Sequence, residues 1–467
     1  MFFIIIFFWN GRLHIYNMNN LNQRQRLLLL RNLIEMQNIA IHQQRFAAQM
    51  MAALLRRRRR IWMYGWLRRR PLLGQYATLV HELEIEDERA YRNYMRMSPQ
   101  LFQEICQRIG PRIHHGNQCV REPLEDALKL AFTIRYMATG ERYQSLQYNF
   151  RVHRTTLGYW IPRVCQAIID EYGDEFFKCP TTEAEWLQVE EGFRNTWDMP
   201  HGLGAIDGKH IAIQCPRRGG SLYYNYKHFH SIVLLAMVDS QYRFLWANIG
   251  RTGCASDAQV WEQCDLLHKI KNNRIRRPGR APIEQGGRLL EYFFLGDDAF
   301  ALKTYLMKPY GSLHLAHSKK IYNYRISRAR RVVENAFGLL VQRWQCLLAT
   351  QQQQPQVVTT ISTACLVLHN LMRTRYPGVG RNHIDREDQQ HRVIPGAWRD
   401  MALLTDLPPI RAAARATAEA KEMREYLEQY FNTVGAVPWQ DDMVGLGRAA
   451  VIRRQLQQQQ QQQPGRR

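Results

Sequence analysis

The sequence lacks the cysteine pairs and long apolar runs that mark disulfide-rich secreted proteins and membrane proteins. Its nine cysteines are scattered and never occur as C-x-x-C, which argues against a disulfide framework and a zinc ribbon. The apolar run at residues 1–9 is much shorter than the roughly 20 residues of a spanning helix. It also has no basic segment before it, so it makes a poor signal peptide. We therefore expect reduced thiols, an intracellular protein and no membrane contact.

Acidic residues are also scarce relative to basic ones. The chain has 64 Lys and Arg against 41 Asp and Glu, a formal net charge of +23. Such a surplus predicts a polyanionic partner, most simply DNA. Arg56–Arg60 and Arg68–Arg70 are basic runs with aromatic residues between them, which favours phosphate contact and nuclear import over a plain solvated linker. We predict a nuclear protein, with the cytoplasm as a second compartment.

Composition and periodicity divide the 467 residues into four segments. Residues 1–75 are predicted to be a basic, largely disordered arm that is helical in part. Residues 76–178 are predicted to be a helical DNA-binding domain, and residues 179–375 an α/β catalytic domain. Residues 376–467 are a poor candidate for a globular domain, with one predicted helix and a disordered, glutamine-rich tail.

The helical segment contains a candidate helix-turn-helix. Two periodic stretches, 143–150 and 155–172, are separated by a short turn at Arg151–His153. An ordinary helical hairpin fits this pattern equally well. The candidate DNA contacts are Arg151, Arg154, Thr155 and Thr156.

The stretch His201–Pro216 is the centre of the predicted catalytic domain. Short apolar runs on both sides of Asp207-Gly208 predict a strand, a tight turn and a second strand. Asp207 would then lie at the end of a core strand. By itself, this Asp-Gly pair favours a carboxylate that serves only the turn.

The order of elements after residue 203 gives Asp207 a second interpretation. Three antiparallel strands are followed by a helix capped by Ser256, a strand that ends at Asp297, a short helix to Met307 and a long helix near 327–348. This order is that of a ribonuclease-H-like α/β core, which would bring Asp207, Asp297 and Glu334 to one end of the sheet. Asp298 is the rival to Asp297, and Asp257 is assigned to the helix cap.

Three carboxylates in this arrangement suit phosphodiester cleavage. Such cleavage uses two divalent cations roughly 3.5–4 Å apart, and carboxylate oxygens suit Mg²⁺ or Mn²⁺. Asp207 would bridge both ions, while Asp297 and Glu334 would each complete one. An ion pair with Arg330 or Arg331 is the alternative role for Glu334. The further candidate DNA contacts are Lys209, Lys227, Arg328, Arg330 and Arg331.

Several ordered blocks carry a family resemblance. GAIDGKHIAI, SDAQVW, FLGDDAF and RRVVENAFGLL, within residues 90–375, resemble the PIF/Harbinger DDE transposases and the Harbinger-derived nucleases of animals. The resemblance implies that Asp207, Asp297 and Glu334 match the family triad, and it favours Asp297 over Asp298. It also implies endonuclease and strand-transfer activity at DNA, and for some members a Myb-like partner protein.

The expected function is thus a metal-dependent DNA endonuclease or transposase, with a homo-oligomer as a compatible assembly. A catalytically silent DNA-binding protein derived from a transposase is the alternative. One departure from the family pattern is Asn248, where relatives often have Asp before the glycine.

Overall fold

The computed structural model describes most of the chain. Its described residues are 4–9, 12–17, 22–55, 63–114, 123–217, 219–272, 274–311, 314–378, 381–400, 403–407 and 416–446. The basic run Arg56–Arg60 and the glutamine tract Gln457–Gln463 lie outside them. Residues 1–65 and 66–467 form two units. No helix in the described ranges is long and apolar enough to cross a bilayer.

The first unit contains regular structure where we predicted a loose arm. Strands β1 (Ile4–Trp9) and β2 (Arg12–Asn17) pair antiparallel. Helix α1 (Gln23–Leu55) is a single helix of 33 residues. Helix α1 is thus the helical part that we predicted in this arm, and the bounds of the arm stay a prediction.

The second unit begins with helices. They are α2 (Gly65–Arg68), α3 (Arg70–Leu73), a π-helix (Tyr76–Val80), α4 (His81–Glu86), α5 (Glu88–Met95), α6 (Pro99–Ile113), α7 (Asp126–Thr139), α8 (Tyr143–Phe150), α9 (Arg154–Phe176) and α10 (Glu183–Trp197). Ser98 caps α6 and Pro99 takes its first position, as the sequence predicts. Helices α8 and α9 are joined by residues 151–153, so the two helices of the candidate helix-turn-helix are present. Its DNA-binding role stays a prediction.

A mixed sheet follows. Its main strands are β3 (Gly202–Ala212), β4 (Ser231–Val238), β5 (Phe244–Thr252), β8 (Phe293–Leu295) and β9 (Leu306–Met307), in the spatial order β5-β4-β3-β8-β9. The short strands outside this row are β6 (Ala281–Pro282), β7 (Leu289–Leu290), β10 (Arg386–Glu387), β11 (Val393–Ile394) and β12 (Thr405–Asp406). The first three strands are antiparallel, whereas β8 runs parallel to β3. This is the α/β, ribonuclease-H-like core that the order of elements predicts.

Helices cover both faces of the sheet. They are α11 (Asp257–Glu262), α12 (Asp265–Lys271), α13 (His317–Arg343), α14 (Pro355–Arg375), α15 (Ala418–Asn432) and α16 (Gln440–Leu446). One face packs with α13 and α14 through Ala205 and Leu295. The other packs with α11 and α12 through Leu235 and Phe294. This division follows from the alternation of side chains along a strand.

Three local predictions differ from the structure. Asp207 and Gly208 do not form a turn, because both are paired with β4 inside the continuous strand β3. The helix predicted up to Met307 is instead an irregular segment that ends in β9. Helix α13 also begins at His317, ten residues before the predicted start at residue 327.

The C-terminal part of the chain packs on the sheet and its helices. Helix α15 buries Met423, Leu427 and Phe431 in the same apolar cluster as α13. Strand β12 pairs with β3, placing Thr405 opposite His210 and Asp406 opposite Lys209. We name residues 403–407 the C-terminal strap. We predicted little globular structure after residue 376. The described parts of that region are instead folded against the rest of the chain.

Candidate metal centre

Two parallel strands place Asp207 and Asp297 side by side. Ala205 of β3 is the register partner of Leu295 of β8, and each aspartate follows two residues later. Because side chains alternate with a period of two, both aspartates project to the same face at the same end of the sheet. Asp297 Oδ1 also accepts a hydrogen bond from the Ala299 N–H at 3.0 Å.

Asp298 lies outside this arrangement. Its side chain is 46% exposed, and its Oδ1 lies 3.2 Å from Lys308 Nζ. The geometry thus favours Asp297 over Asp298, as the family resemblance does.

A third aspartate, Asp257, joins the first two from the opposite sheet face. Ligand oxygens of Asp207, Asp257 and Asp297 all lie within 4.8 Å of one another. Asp257 was assigned to a helix cap, but Ser256 and Gln259 form the capping box of α11 by themselves. Asp257 is the first residue of α11, next to the cap as predicted, but its side chain is not needed for the capping box and joins the aspartate cluster.

Gly208 explains how Asp257 reaches the cluster. A Cβ atom at this position would overlap Asp257 Oδ1. A glycine inside a strand often marks such a close approach. The glycine after Asp207 was the signal that could have identified Asp257, and we interpreted it as a turn.

The electrostatics of the three aspartates indicate crowded negative charge. Burial, and then the charges of Asp207 and Asp297, raise the pKa of Asp257 well above its usual range. Burial and the charge of Asp207 likewise raise the pKa of Asp297. Among the described residues, Asp207 Oδ2 and Asp257 Oδ1 are buried without a hydrogen-bond partner. Buried oxygens in this state are suited to a cation.

Arg330 partly compensates this charge. Its Nη2 donates to Glu334 Oε1 at 2.8 Å, and its Nη1 lies 3.7 Å from Asp207 Oδ1. Burial alone would lower the pKa of Arg330, but the carboxylates of Glu334, Asp207 and Asp297 raise it. Glu334 thus forms the ion pair with Arg330 that is the alternative to metal binding. Its side chain still lines the same cavity as the three aspartates.

Lys209 is the second internal cation. Its Nζ lies 2.8 Å from Asp207 Oδ2, in an ion pair without hydrogen-bond geometry, and it also pairs with Asp406 of the C-terminal strap. These carboxylates raise its pKa against the effect of burial. Lys209 is mostly buried here and is engaged with carboxylates rather than open to DNA.

These groups line a cavity of about 500 Å³. Five carboxylates face it (Asp207, Asp257, Asp297, Glu334 and Asp406) together with two cations (Lys209 and Arg330). With all seven groups ionised, the net charge is −3. Hard oxygen donors and excess negative charge fit Mg²⁺ or Mn²⁺, so Asp207, Asp257 and Asp297 would hold the ion, with Glu334 beside them.

The predicted DNA contacts fall into two groups. Arg328 and Arg331 are buried and bind Glu387, at 2.9 and 3.1 Å. Arg151 donates to the carbonyl oxygens of Trp66 and Leu73 at 2.8 and 3.0 Å, and so anchors the start of the helical segment. The exposed candidates are Arg154, Thr155 and Lys227, and Thr156 is half-buried.

We expect Gly208→Ala to impair the site while keeping the fold. Alanine suits a strand at least as well as glycine, but its methyl group would displace the Asp257 carboxylate. The affinity for Mn²⁺, measured by isothermal titration calorimetry, should fall at least about tenfold. Gly279→Ala is the control, because a Cβ there meets no atom within 4 Å. Unchanged Mn²⁺ affinity in Gly208→Ala would refute a role for Asp257 in cation binding.

Comparisons with known proteins agree with this site. Residues 206–370 match the DDE superfamily endonuclease family. The chain is 26% identical over 225 residues to human HARBI1, named as a candidate nuclease, covering 47% of this chain and 59% of that protein. HARBI1 of Xenopus laevis is 25% identical over the same length, covering 60% of that protein. The chain thus spans about three-fifths of these relatives.

A plant relative extends the similarity. The ALP1-like protein of Arabidopsis thaliana is 21% identical over 314 residues, which cover 65% of this chain and 72% of that protein. No solved structure matches the chain. The family match includes Asp207, Asp257, Asp297 and Glu334, and it indicates a nuclease- or transposase-like function. Residues 206–370 of this chain thus match the DDE superfamily endonuclease family, and the chain is similar to the Harbinger-derived protein HARBI1.

Proposed function

We propose that the chain is a divalent-metal-dependent DNA endonuclease of the transposase type. The observation that carries the proposal is the cluster of Asp207, Asp257 and Asp297, whose ligand oxygens lie within 4.8 Å of one another in a cavity. The family match over the same residues supports it.

The chemistry follows from the residues around the cavity. Divalent cations held by Asp207, Asp257 and Asp297 would activate the attacking water and stabilise the leaving oxygen of a phosphodiester. Asp207 lies within β3 and Asp297 lies two residues after β8, so the paired strands fix both carboxylates before the reaction. Glu334 lines the same cavity and is held there by Arg330. Phe337, Trp398 and Leu404 form an apolar wall that limits water in the cavity.

DNA is the proposed substrate. The net charge of +23 supports a polyanionic partner, and Arg154, Thr155 and Lys227 are exposed for backbone contacts. We also propose a nuclear location, where this substrate is found. The Myb-like partner and the homo-oligomer stay predictions from the family resemblance.

The test is a nicking assay with the full chain. We expect supercoiled plasmid to be converted to nicked circles with Mg²⁺ or Mn²⁺ and to stay intact with EDTA. A duplex DNA and an RNA–DNA hybrid of the same sequence, assayed in parallel, distinguish a DNA endonuclease from a ribonuclease-H-type enzyme.

A different result would favour the non-catalytic alternative. If the chain shifts duplex DNA in a gel but nicks it with neither metal, it is a DNA-binding protein without nuclease activity. Cleavage confined to the RNA strand of the hybrid would contradict the proposed substrate.

A further inference from the structure

A second cavity is lined by the C-terminal end of α13, just beyond the residues of that helix that line the acidic cavity, and it is cationic. Its volume is about 420 Å³, and it lies between the α5–α6 junction and the helices α13 and α14. It shares no lining residue with the acidic cavity among the described residues. The residues that matter here are Arg96, Ser98, Arg343, His369, Arg373 and His383.

The charges in this cavity have one sign. Arg92, Arg96, Arg343 and Arg373 line it, and none of the described lining residues is acidic. Arg92 is paired outside the cavity with Glu88, at 2.7 Å. Within the described part of the chain, Arg343 has no hydrogen-bond or ion-pair partner, although it lies at the half-buried end of α13.

These cations repel one another. Burial, and then the charges of Arg373 and Arg96, lower the pKa of Arg343. An arginine nevertheless stays charged at neutral pH, so the excess positive charge persists. Like charges that crowd a half-buried site are costly, and an anion in the cavity would relieve that cost.

The cavity also contains buried polar atoms that have no hydrogen-bond partner among the described residues. His369 is fully buried, and its Nε2 donates to the Tyr242 carbonyl oxygen at 2.8 Å, so its Nδ1, which has no partner in the described residues, is an acceptor that can pair only with a protonated phosphate oxygen or a water. The buried Nε of Arg96 has none either. Ser98 caps α6 at the cavity wall, so the positive end of a 15-residue helix faces it. Unsatisfied buried groups of this kind are rare in folded proteins.

We propose that this cavity binds a phosphate group, held by Arg96 and Arg343; Arg373, which donates to the carbonyl oxygens of Gln241 and Pro377, adds its positive charge. Planar guanidinium groups bind phosphate oxygens in pairs, and several of them suit the tetrahedral oxygens of a phosphate better than the two coplanar oxygens of a carboxylate. The group would come from the DNA backbone or from a free phosphorylated small molecule. In either case it would link α5 and α6 of the helical segment to α13, the helix that carries Glu334.

The test measures thermal unfolding and DNA binding of the full chain. We expect pyrophosphate, compared with NaCl of equal ionic strength, to raise the Tm saturably. In Arg343→Gln, the pyrophosphate concentration that gives half of the maximal Tm rise should be at least about tenfold higher than in the wild type. Without pyrophosphate, the same variant should melt no lower than the wild type, because it removes a repelled charge. Arg89→Gln, which changes an exposed arginine of α5 outside the cavity, is the matched control.

DNA binding distinguishes the two sources. If the group belongs to DNA, Arg343→Gln also lowers the affinity for a short duplex and reduces its salt dependence by about one phosphate contact. If it belongs to a small molecule, the duplex affinity equals that of Arg89→Gln while the pyrophosphate effect is lost. The proposal fails if both variants respond alike to pyrophosphate and to DNA.

Discussion

Replacing Asp207 with Asn should reduce metal-dependent nicking at least about 1,000-fold, which corresponds to about 4 kcal/mol of transition-state stabilisation. Asp207 is the central residue of the cluster, since it neighbours Asp297 across the parallel strands and lies close to Arg330, Lys209 and Asp257. Asparagine keeps the shape of the side chain but removes its charge. The loss should therefore be in cation binding and catalysis rather than in folding.

Asp297 and its neighbour provide a matched pair for the same assay. Asp297→Asn should lose activity to a similar extent, because this carboxylate belongs to the cluster. Asp298→Asn makes the same chemical change one residue later, on a side chain that is 46% exposed and paired with Lys308. It should retain activity within a few-fold of the wild type. Equal losses in the two variants would contradict the assignment of Asp297, and unchanged nicking by Asp207→Asn would contradict the proposed site.

Replacing Arg330 with Gln should destabilise the metal-free protein by about 3–5 kcal/mol in unfolding free energy. The guanidinium of Arg330 lies among Asp207, Asp297 and Glu334, and its removal leaves these largely buried carboxylates to repel one another. Chemical denaturation in EDTA measures the loss. Mn²⁺ should then stabilise the variant more than it stabilises the wild type, because a cation held by the same carboxylates replaces the missing charge.

Arg92→Gln is the control for this experiment. Arg92 and Glu88 also form an ion pair four residues apart on a helix, but both side chains are about half-exposed. Such pairs contribute only about 0.3–0.5 kcal/mol, so Arg92→Gln should unfold almost like the wild type. If Arg330→Gln and Arg92→Gln lower the free energy of unfolding by the same small amount, Arg330 does not compensate the charge of the carboxylate cluster.

The positions of Asp207 and Asp297 could be predicted from the sequence because they depend on the order of elements. Two buried apolar runs that each lead into an aspartate, with a helix between them, predict parallel neighbours in this fold, although β3 continues past Asp207 to Ala212. The structure pairs β3 with β8 in that way. Each strand is recognised by its local pattern of apolar residues, so the order of strands can be inferred from the sequence.

The contributions of Asp257 and Glu387 could not be predicted in the same way. Asp257 enters from the opposite sheet face at a position that local sequence assigns to a helix start. Arg328 and Arg331 form a basic pattern that suggests phosphate contacts, yet Glu387, more than 50 residues later, binds both. Partners so distant in sequence leave no local signal. The turn predicted at Asp207-Gly208 failed because strand pairing on β4 outweighs a local turn preference.

The C-terminal strap has a consequence for aggregation. Beyond Ala205, β8 no longer pairs with β3, and β12 takes its place beside Lys209 and His210. A chain that ended before residue 403 would leave this stretch of β3 as an open strand edge. Open edges are templates for pairing between chains, so such a shortened protein should self-associate through the strand that carries Asp207. The strap thus covers the edge of the central strand of this domain and prevents it from pairing with other chains.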